Sequence, residues 1–315
     1  MVFSLETRNK LINNTLRNTH QMKKALKGTG VAIVTPFHKH GTVDFTSLGK
    51  LIEHLITNGV NYIVALGTTG ETATLSDKEK LAVTDFVVDA VAKRVPVVLG
   101  MGGNDTQKMV DQIKDFNFEG IDAVLSVAPY YNKPQQKGLF YHFKSIEEVL
   151  PVPMLIYNVP SRTGVNISAE TTLKLANEVS GIIGIKEASG NMMQCMQIIN
   201  NKPKDFLVIS GEDALTLPLI AAGADGVISV VANAFPKEFS EMVQMALSAN
   251  CKKAKELHYK LFNFTNAIFE DGSPAGIKAA LEVLEICQNN LRLPLVKVNK
   301  QTNTTIQNLV KEIVG

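Results

Sequence analysis

From residue 31 onward, short runs of β-branched and aliphatic residues recur along the chain, each closed by turn-forming residues. The runs are VAIVTPF (31–37), YIVALG (62–67), VPVVLG (95–100), DAVLSVAP (122–129), PMLIYN (153–158), IIGIK (182–186), LVISG (207–211) and GVISV (226–230), and each predicts a strand. Between them lie segments of helical spacing with N-terminal signals, such as Ser76 and Glu79 ahead of LAVTDFVVDAVA, and Asn104 and Gln107 ahead of MVDQIKDF. Runs that are apolar on both faces belong to parallel sheets covered by helices. Eight strand–helix units over about 200 residues predict an α/β fold, a closed (β/α)8 TIM barrel, in preference to an open doubly wound sheet. The open alternative is weakened further because no GxGxxG follows the first run.

After Val230 the pattern is helical only, through FPKEFSEMVQMALSA, KAKELHYKLFNFTNAIF, PAGIKAALEVLEIC and TIQNLVKEIV. A barrel needs one closing helix, and these segments exceed it. The expected division is therefore a barrel over residues 22–235 and a C-terminal helical subdomain over 236–315. Residues 1–21, rich in Asn, Thr and Arg and followed by a second methionine, Met22, read as an N-terminal appendage with room for a short helix.

Charge and cysteine usage narrow the function. Across 315 residues, 32 basic side chains oppose 30 acidic ones for a net charge of +2, with no long run of one sign. That argues against nucleic acid as a partner and for a small-molecule substrate. No stretch reaches the ~18 uninterrupted apolar residues of a membrane span, and the N-terminus lacks the apolar core of a secretory signal. Cys195, Cys251 and Cys287 are far apart, without CxxC or a nearby histidine pair, which argues against a disulfide framework or a zinc site. The expectation is a cytoplasmic protein with no metal and no cofactor.

In a (β/α)8 barrel the reactive groups stand at the C-terminal ends of the strands. There, IIGIK runs an apolar strand into Lys186. Counting by twos places Ile182, Gly184 and Lys186 on one face, with Gly184 leaving volume for the lysine stem. Turned inward, the amine is desolvated and becomes a nucleophile toward carbonyls; turned outward, it is a solvated bystander. Tyr157 ends the fifth strand in LIYNVPSRTG, as a packing residue or as a phenol that shuttles protons. Arg162 follows on a loop stiffened by Pro160, suited to a carboxylate or to a surface ion pair. The GTTGET turn (67–72) offers backbone N–H groups and the hydroxyls of Thr68 and Thr69 as a neutral cradle, although such a turn is also common structure. Tyr130 and Tyr131 end the fourth strand, while Gly211 and Ile228 close the seventh and eighth. A nucleophilic amine, a phenol, hydroxyls and a guanidinium on one rim suit a Schiff-base lyase or aldolase acting on a 2-oxo acid.

GTTGET, APYYNKP, YNVPSRTG, GIKEASG and GVISVVAN, in this order and at these strand ends, resemble the dihydrodipicolinate synthase and N-acetylneuraminate lyase family of class I aldolases. The likeness runs from about residue 25 to the end. It implies condensation of pyruvate with aspartate semialdehyde to 4-hydroxy-tetrahydrodipicolinate, a step toward diaminopimelate and lysine. Carried over, Lys186 is the Schiff-base lysine and Tyr157 the proton donor and acceptor. Thr68 and Tyr131 complete a relay with Tyr157, Tyr131 being lent by a neighbouring subunit, so the chain is expected to form a homo-oligomer, a tetramer built as a dimer of dimers. Thr69 and Ile228 contact pyruvate, and Arg162 holds the semialdehyde carboxylate. Within the family, an arginine in YNVPSRTG marks the synthases.

Two departures stand out. Where lysine-inhibited relatives often place His, His and Glu around the effector, this chain has Asp77, Lys80 and Lys108, while Asn104 and Tyr130 match. An ammonium beside the effector's amine repels it, which predicts weak or absent feedback by lysine. The family's NPxPxK stretch is SPAGIK (273–278), and the sequence alone assigns it no consequence. Two rival functions remain: a sibling aldolase acting on a sugar acid, and a non-catalytic 2-oxo-acid sensor on the same scaffold.

Overall fold

The computed structural model describes residues 20–315. Residues 20–25 are helical, and the rest of the expected N-terminal appendage, residues 1–19, lies outside the described residues. Eight parallel strands close into a barrel in chain order: β1 (Gly28–Ala32), β2 (Tyr62–Ala65), β3 (Val97–Gly100), β4 (Ala123–Val127), β5 (Met154–Asn158), β6 (Ile182–Glu187), β7 (Leu207–Ser210) and β8 (Gly226–Ser229). Closure occurs where β1 pairs with β8, Gly28 opposite Gly226 and Gly30 opposite Ile228.

The side chains sort by the strand period of two. One buried cluster fills the cylinder, with Ala32, Tyr62, Val64, Val98, Leu125, Leu155, Tyr157, Ile183, Leu207, Ile209 and Ile228. The other, with Val31, Ile63, Leu99, Val124, Ile156, Ile185, Val208 and Val227, lies between strands and helices. Both faces of the strands are covered, which is why the runs read as continuously apolar.

The first strand begins three residues before the expected run and ends at Ala32. Its GTG start reads as a poor strand, since glycine gains little there. Packing overrides that preference: a Cβ on Gly30 would lie 2.1 Å from Tyr62 Cε2, and one on Gly226 would lie 2.1 Å from the Gly28 carbonyl oxygen. TPF leaves the barrel after Ala32, and Phe37 makes only a single antiparallel bridge to Val43.

Ser76 and Glu79 form a reciprocal capping box on the helix Asp77–Val91. Ahead of the next helix, Thr106–Asp115, the cap is Asp105, whose carboxylate accepts from the Lys108 N–H, one residue after the expected Asn104. Both residues belong to the side-chain types that cap well, and Asp105 is the one whose side chain accepts at the helix start. Beyond β8 the helix Pro236–Leu247 packs on β1 and β8. The helices Cys251–Glu270, Ala275–Val283 and Lys300–Val314 then pack on one another, giving the C-terminal extension.

Candidate active site

Tyr157 and Lys186 are register partners at the ends of β5 and β6. Both point into the cylinder, Tyr157 7% and Lys186 5% exposed, and the lysine Nζ stands 4.2 Å from the centroid of the tyrosine ring. The amine therefore lies over the π-face of the phenol, and Ile209 and Ile228 belong to the same buried barrel interior as Tyr157.

Lys186 reaches this place by a route that differs from the one the strand period predicts. A bulge on β6, opposite the Met154–Leu155 step of β5, sets Ile182 and Gly184, with Ile183 between them, opposite consecutive residues. Ile182 consequently packs outward and Ile183 inward, so Ile182 does not share a face with Lys186. Nor does Gly184 make room for the lysine stem. A Cβ there would meet Leu207 Cβ at 2.6 Å and Leu207 O at 2.7 Å, so Gly184 serves the close approach of β6 to β7. The glycine against the stem is Gly211, where a Cβ would lie 3.0 Å from Lys186 Cε and 2.6 Å from Ala188 Cβ.

The outward residues next to this pair form a polar brace. Glu187, 2% exposed, accepts from Asn158 Nδ2 at 3.1 Å, from the Ser189 N–H at 2.8 Å and from Gln194 Nε2 at 2.9 Å. Asn158 also accepts from the Ile167 N–H and donates to Asn166. A buried carboxylate satisfied by three kinds of donor fixes the ends of β5 and β6 to one another, and with them Tyr157 and Lys186. Sequence reasoning passed over both residues, although each stands beside a chosen one in YN and KE.

Glu212 is a second omission. It follows Gly211, and its carboxyl is raised above the ordinary range by burial and by Asp213, against the opposing pull of Lys186 and Arg162. Asp213, 3% exposed, is pushed up by burial and restrained by bonds from Ser229 and the N–H groups of Val230 and Val231. The legible signal was an acidic pair directly after a strand end, in SGED.

The remaining predicted residues stand on loops around the mouth. Thr69 is 5% exposed and Thr68 is exposed, both in the 3-10 turn Thr68–Gly70 after β2. Thr72 ties that turn down by donating to Leu66 O at 2.6 Å and Gly67 O at 3.0 Å. Arg162 is exposed in the short helix Pro160–Thr163, with Pro160 at its first position. Tyr131 is 83% exposed with φ 78°, so its own barrel does not enclose it. Asn104 donates to the Tyr130 carbonyl at 3.4 Å, and Lys80 pairs with Asp77 at 3.2 Å. Among the described residues no group of three His, Cys, Asp or Glu side chains is placed to hold a metal ion.

Such a mouth can do amine chemistry on a small carbonyl compound, with a phenol in van der Waals contact to move protons and an exposed guanidinium to hold an anion. Known proteins resemble this chain over most of its length. A 4-hydroxy-tetrahydrodipicolinate synthase of Parabacteroides distasonis is 49% identical over 288 residues, 91% of this chain and 97% of the relative. The solved structure of a chloride-inhibited dihydrodipicolinate synthase of Acinetobacter baumannii, complexed with pyruvate, matches at a TM-score of 0.89 and 40% identity, covering 92% of this chain and 99% of that one. A monomeric dihydrodipicolinate synthase variant matches at a TM-score of 0.90 and 39% identity, covering 93% and 98%. The family model for the dihydrodipicolinate synthetase family matches residues 25–313, and with the barrel, the strand-end lysine and these relatives in agreement, the chain belongs to that family.

Proposed function

We propose that the chain is a 4-hydroxy-tetrahydrodipicolinate synthase, a class I aldolase-type lyase that condenses pyruvate with L-aspartate 4-semialdehyde. The observation that carries the reading is a lysine amine, 5% exposed, at the C-terminal mouth of the barrel and 4.2 Å from the ring centroid of Tyr157. Held there, the amine can attack a carbonyl carbon of a small substrate bound at the mouth.

The Lys186 amine adds to the pyruvate carbonyl and water leaves, giving an imine. Tyr157 relays the protons of these steps, together with Thr68 and the Tyr131 of a second copy. Loss of a methyl proton turns the imine into an enamine, whose carbon attacks the aldehyde of the second substrate, and the new alkoxide takes a proton. The substrate's own amine then displaces Lys186, closing a ring and freeing the enzyme. Thr69 and Ile228 contact pyruvate beside Gly211, and Arg162 grips the semialdehyde carboxylate. The 83% exposure of Tyr131, held in the left-handed region, supports its role in another subunit's site. The proposed assembly is a tetramer made of two dimers, working in the cytoplasm.

Arg162 separates this reading from a sugar-acid aldolase, because a short carboxylated aldehyde requires a cation whereas a polyol requires hydroxyl and amide partners. Steady-state rates with pyruvate and a panel of aldehydes decide between them. The synthase reading predicts turnover of aspartate semialdehyde far above that of any sugar aldehyde; preference for a long polyol aldehyde would contradict it.

A further inference from the structure

The GTTGET turn carries a carboxylate that the reaction above does not use. Glu71 is 4% exposed and adopts φ 54°, at the junction between the 3-10 turns Thr68–Gly70 and Thr72–Thr74. One carboxylate oxygen accepts from the Arg292 backbone N–H at 3.1 Å, and the other accepts from the Lys278 ammonium. Lys278 closes the SPAGIK stretch. It sits in the helix Ala275–Val283, 0% exposed, donates also to Asn290 O at 2.8 Å, and lies 4.3 Å from the centroid of the Phe37 ring. The Arg292 guanidinium, 4.5 Å from the same ring, donates to Thr74 O at 2.8 Å and to Glu79 at 3.0 Å. From the β1 side, Thr35 Oγ1 donates to Gly70 O at 2.7 Å.

The C-terminal helices thus reach into the turn that bears Thr68 and Thr69. A buried ion pair is weak evidence for stability, because desolvation offsets much of the Coulomb attraction. Burial indeed lowers the Lys278 amine from its ordinary range, against the opposing pull of Glu71. The pair's distinctive effect is geometric. A glutamate in the left-handed region is strained and persists only where its surroundings determine it. Here the determinants are a cation and a backbone N–H contributed by a separate part of the fold.

We propose that the Glu71–Lys278 ion pair is a positioning device for the reaction, locking the backbone of the β2 turn so that Thr69 meets the pyruvate carboxylate and Thr68 meets the proton relay. The inference rests on the proposed function, which gives those threonines their roles. Lys278 and Glu71 are positioning residues, since neither reaches the mouth.

The test uses the full-length protein with Lys278→Met and, as a milder change, Glu71→Gln, which retains a carbonyl acceptor for the Arg292 N–H. Active sites are counted by borohydride trapping with saturating pyruvate, and kcat and both KM values are expressed per trapped site. Mispositioned threonines raise the KM for pyruvate and lower kcat by roughly ten- to a hundredfold, with the KM for the aldehyde unchanged because Arg162 stands on another loop. If Lys278→Met does not fold, Glu71→Gln decides alone. Unchanged kinetics per trapped site, whatever happens to the melting temperature, would overturn the proposal, as would an equal rise in both KM values. Absence of any pyruvate adduct in the wild-type protein would instead remove the underlying reaction, and the positioning role with it.

Discussion

A methyl group tests how tightly the reactive lysine is held. Gly211→Ala would place a carbon 3.0 Å from Lys186 Cε and 2.6 Å from Ala188 Cβ, and the lysine stem is the more yielding neighbour. The expected result is a loss of kcat of about tenfold or more together with a lowered melting temperature, measured side by side, because a displaced nucleophile loses its alignment while Ala188 Cβ, fixed to the backbone, has to shift. His142 makes a different prediction. It is 4% exposed, its Nδ1 lies 2.8 Å from Thr106 Oγ1, its Nε2 is buried without a partner among the described residues, and burial lowers its pKa from 6.5 to about 4. The folded chain keeps this ring neutral while the unfolded chain protonates it below 6.5. Stability is therefore full above that pH and declines as pH falls toward the folded value, by up to about 3 kcal/mol. Urea unfolding of the wild type and of His142→Gln at pH 7 and pH 5 should show the variant losing about 2 kcal/mol less on acidification. At this scale the sequence was readable where apolar patterning ends in a reactive group, as at Lys186 and Tyr157. It was unreadable where the reason lies in a contact across the barrel: Gly211 rather than Gly184 faces the lysine, and nothing local marks Glu71 and Lys278 as partners.

Elements place the effector question. The helix Asp77–Val91 carries Lys80, paired with Asp77 on its first turn, and the helix Thr106–Asp115 carries Lys108, exposed beside its cap. An exposed pair of this kind neutralises little, so an arriving ammonium still meets cationic side chains where an inhibited relative offers His and Glu. Activity assays should show weak or absent inhibition by free lysine; clear inhibition at millimolar lysine would contradict this. Strand existence followed directly from periodicity, as did the capping box at Ser76, since both depend on neighbours within a few residues. Strand ends and register did not. The glycines of β1 and the bulge in β6 are settled by what the adjacent strands need, Tyr62 over Gly30 and Leu207 against Gly184. The extended register moved Ile182 outward without disturbing Lys186.

The whole molecule raises the question of a shared site. Eight repeats of strand and helix made the closed barrel legible, and the surplus of helices after Val230 made the C-terminal extension legible. The contact that joins that extension to the β2 turn was not, because it spans 207 positions. Tyr131, 83% exposed, is proposed above to complete the site of another copy, and mixing tests it. Lys186→Ala and Tyr131→Phe subunits, each nearly inactive alone, should regain about a quarter of wild-type activity after mixed refolding, since half the dimers are mixed and each has one intact site. No recovery, with mixed dimers demonstrated by mass spectrometry, would place Tyr131 in its own chain's chemistry or in none.

The proposed reaction turns on a carbon–nitrogen bond between Lys186 and a 2-oxo acid. Incubation with pyruvate and borohydride, followed by proteolysis and mass mapping, measures it directly. A reduced pyruvate adduct on Lys186 alone, abolished in Lys186→Ala, is the predicted result; an unmodified Lys186, or an adduct on a different lysine, would contradict it.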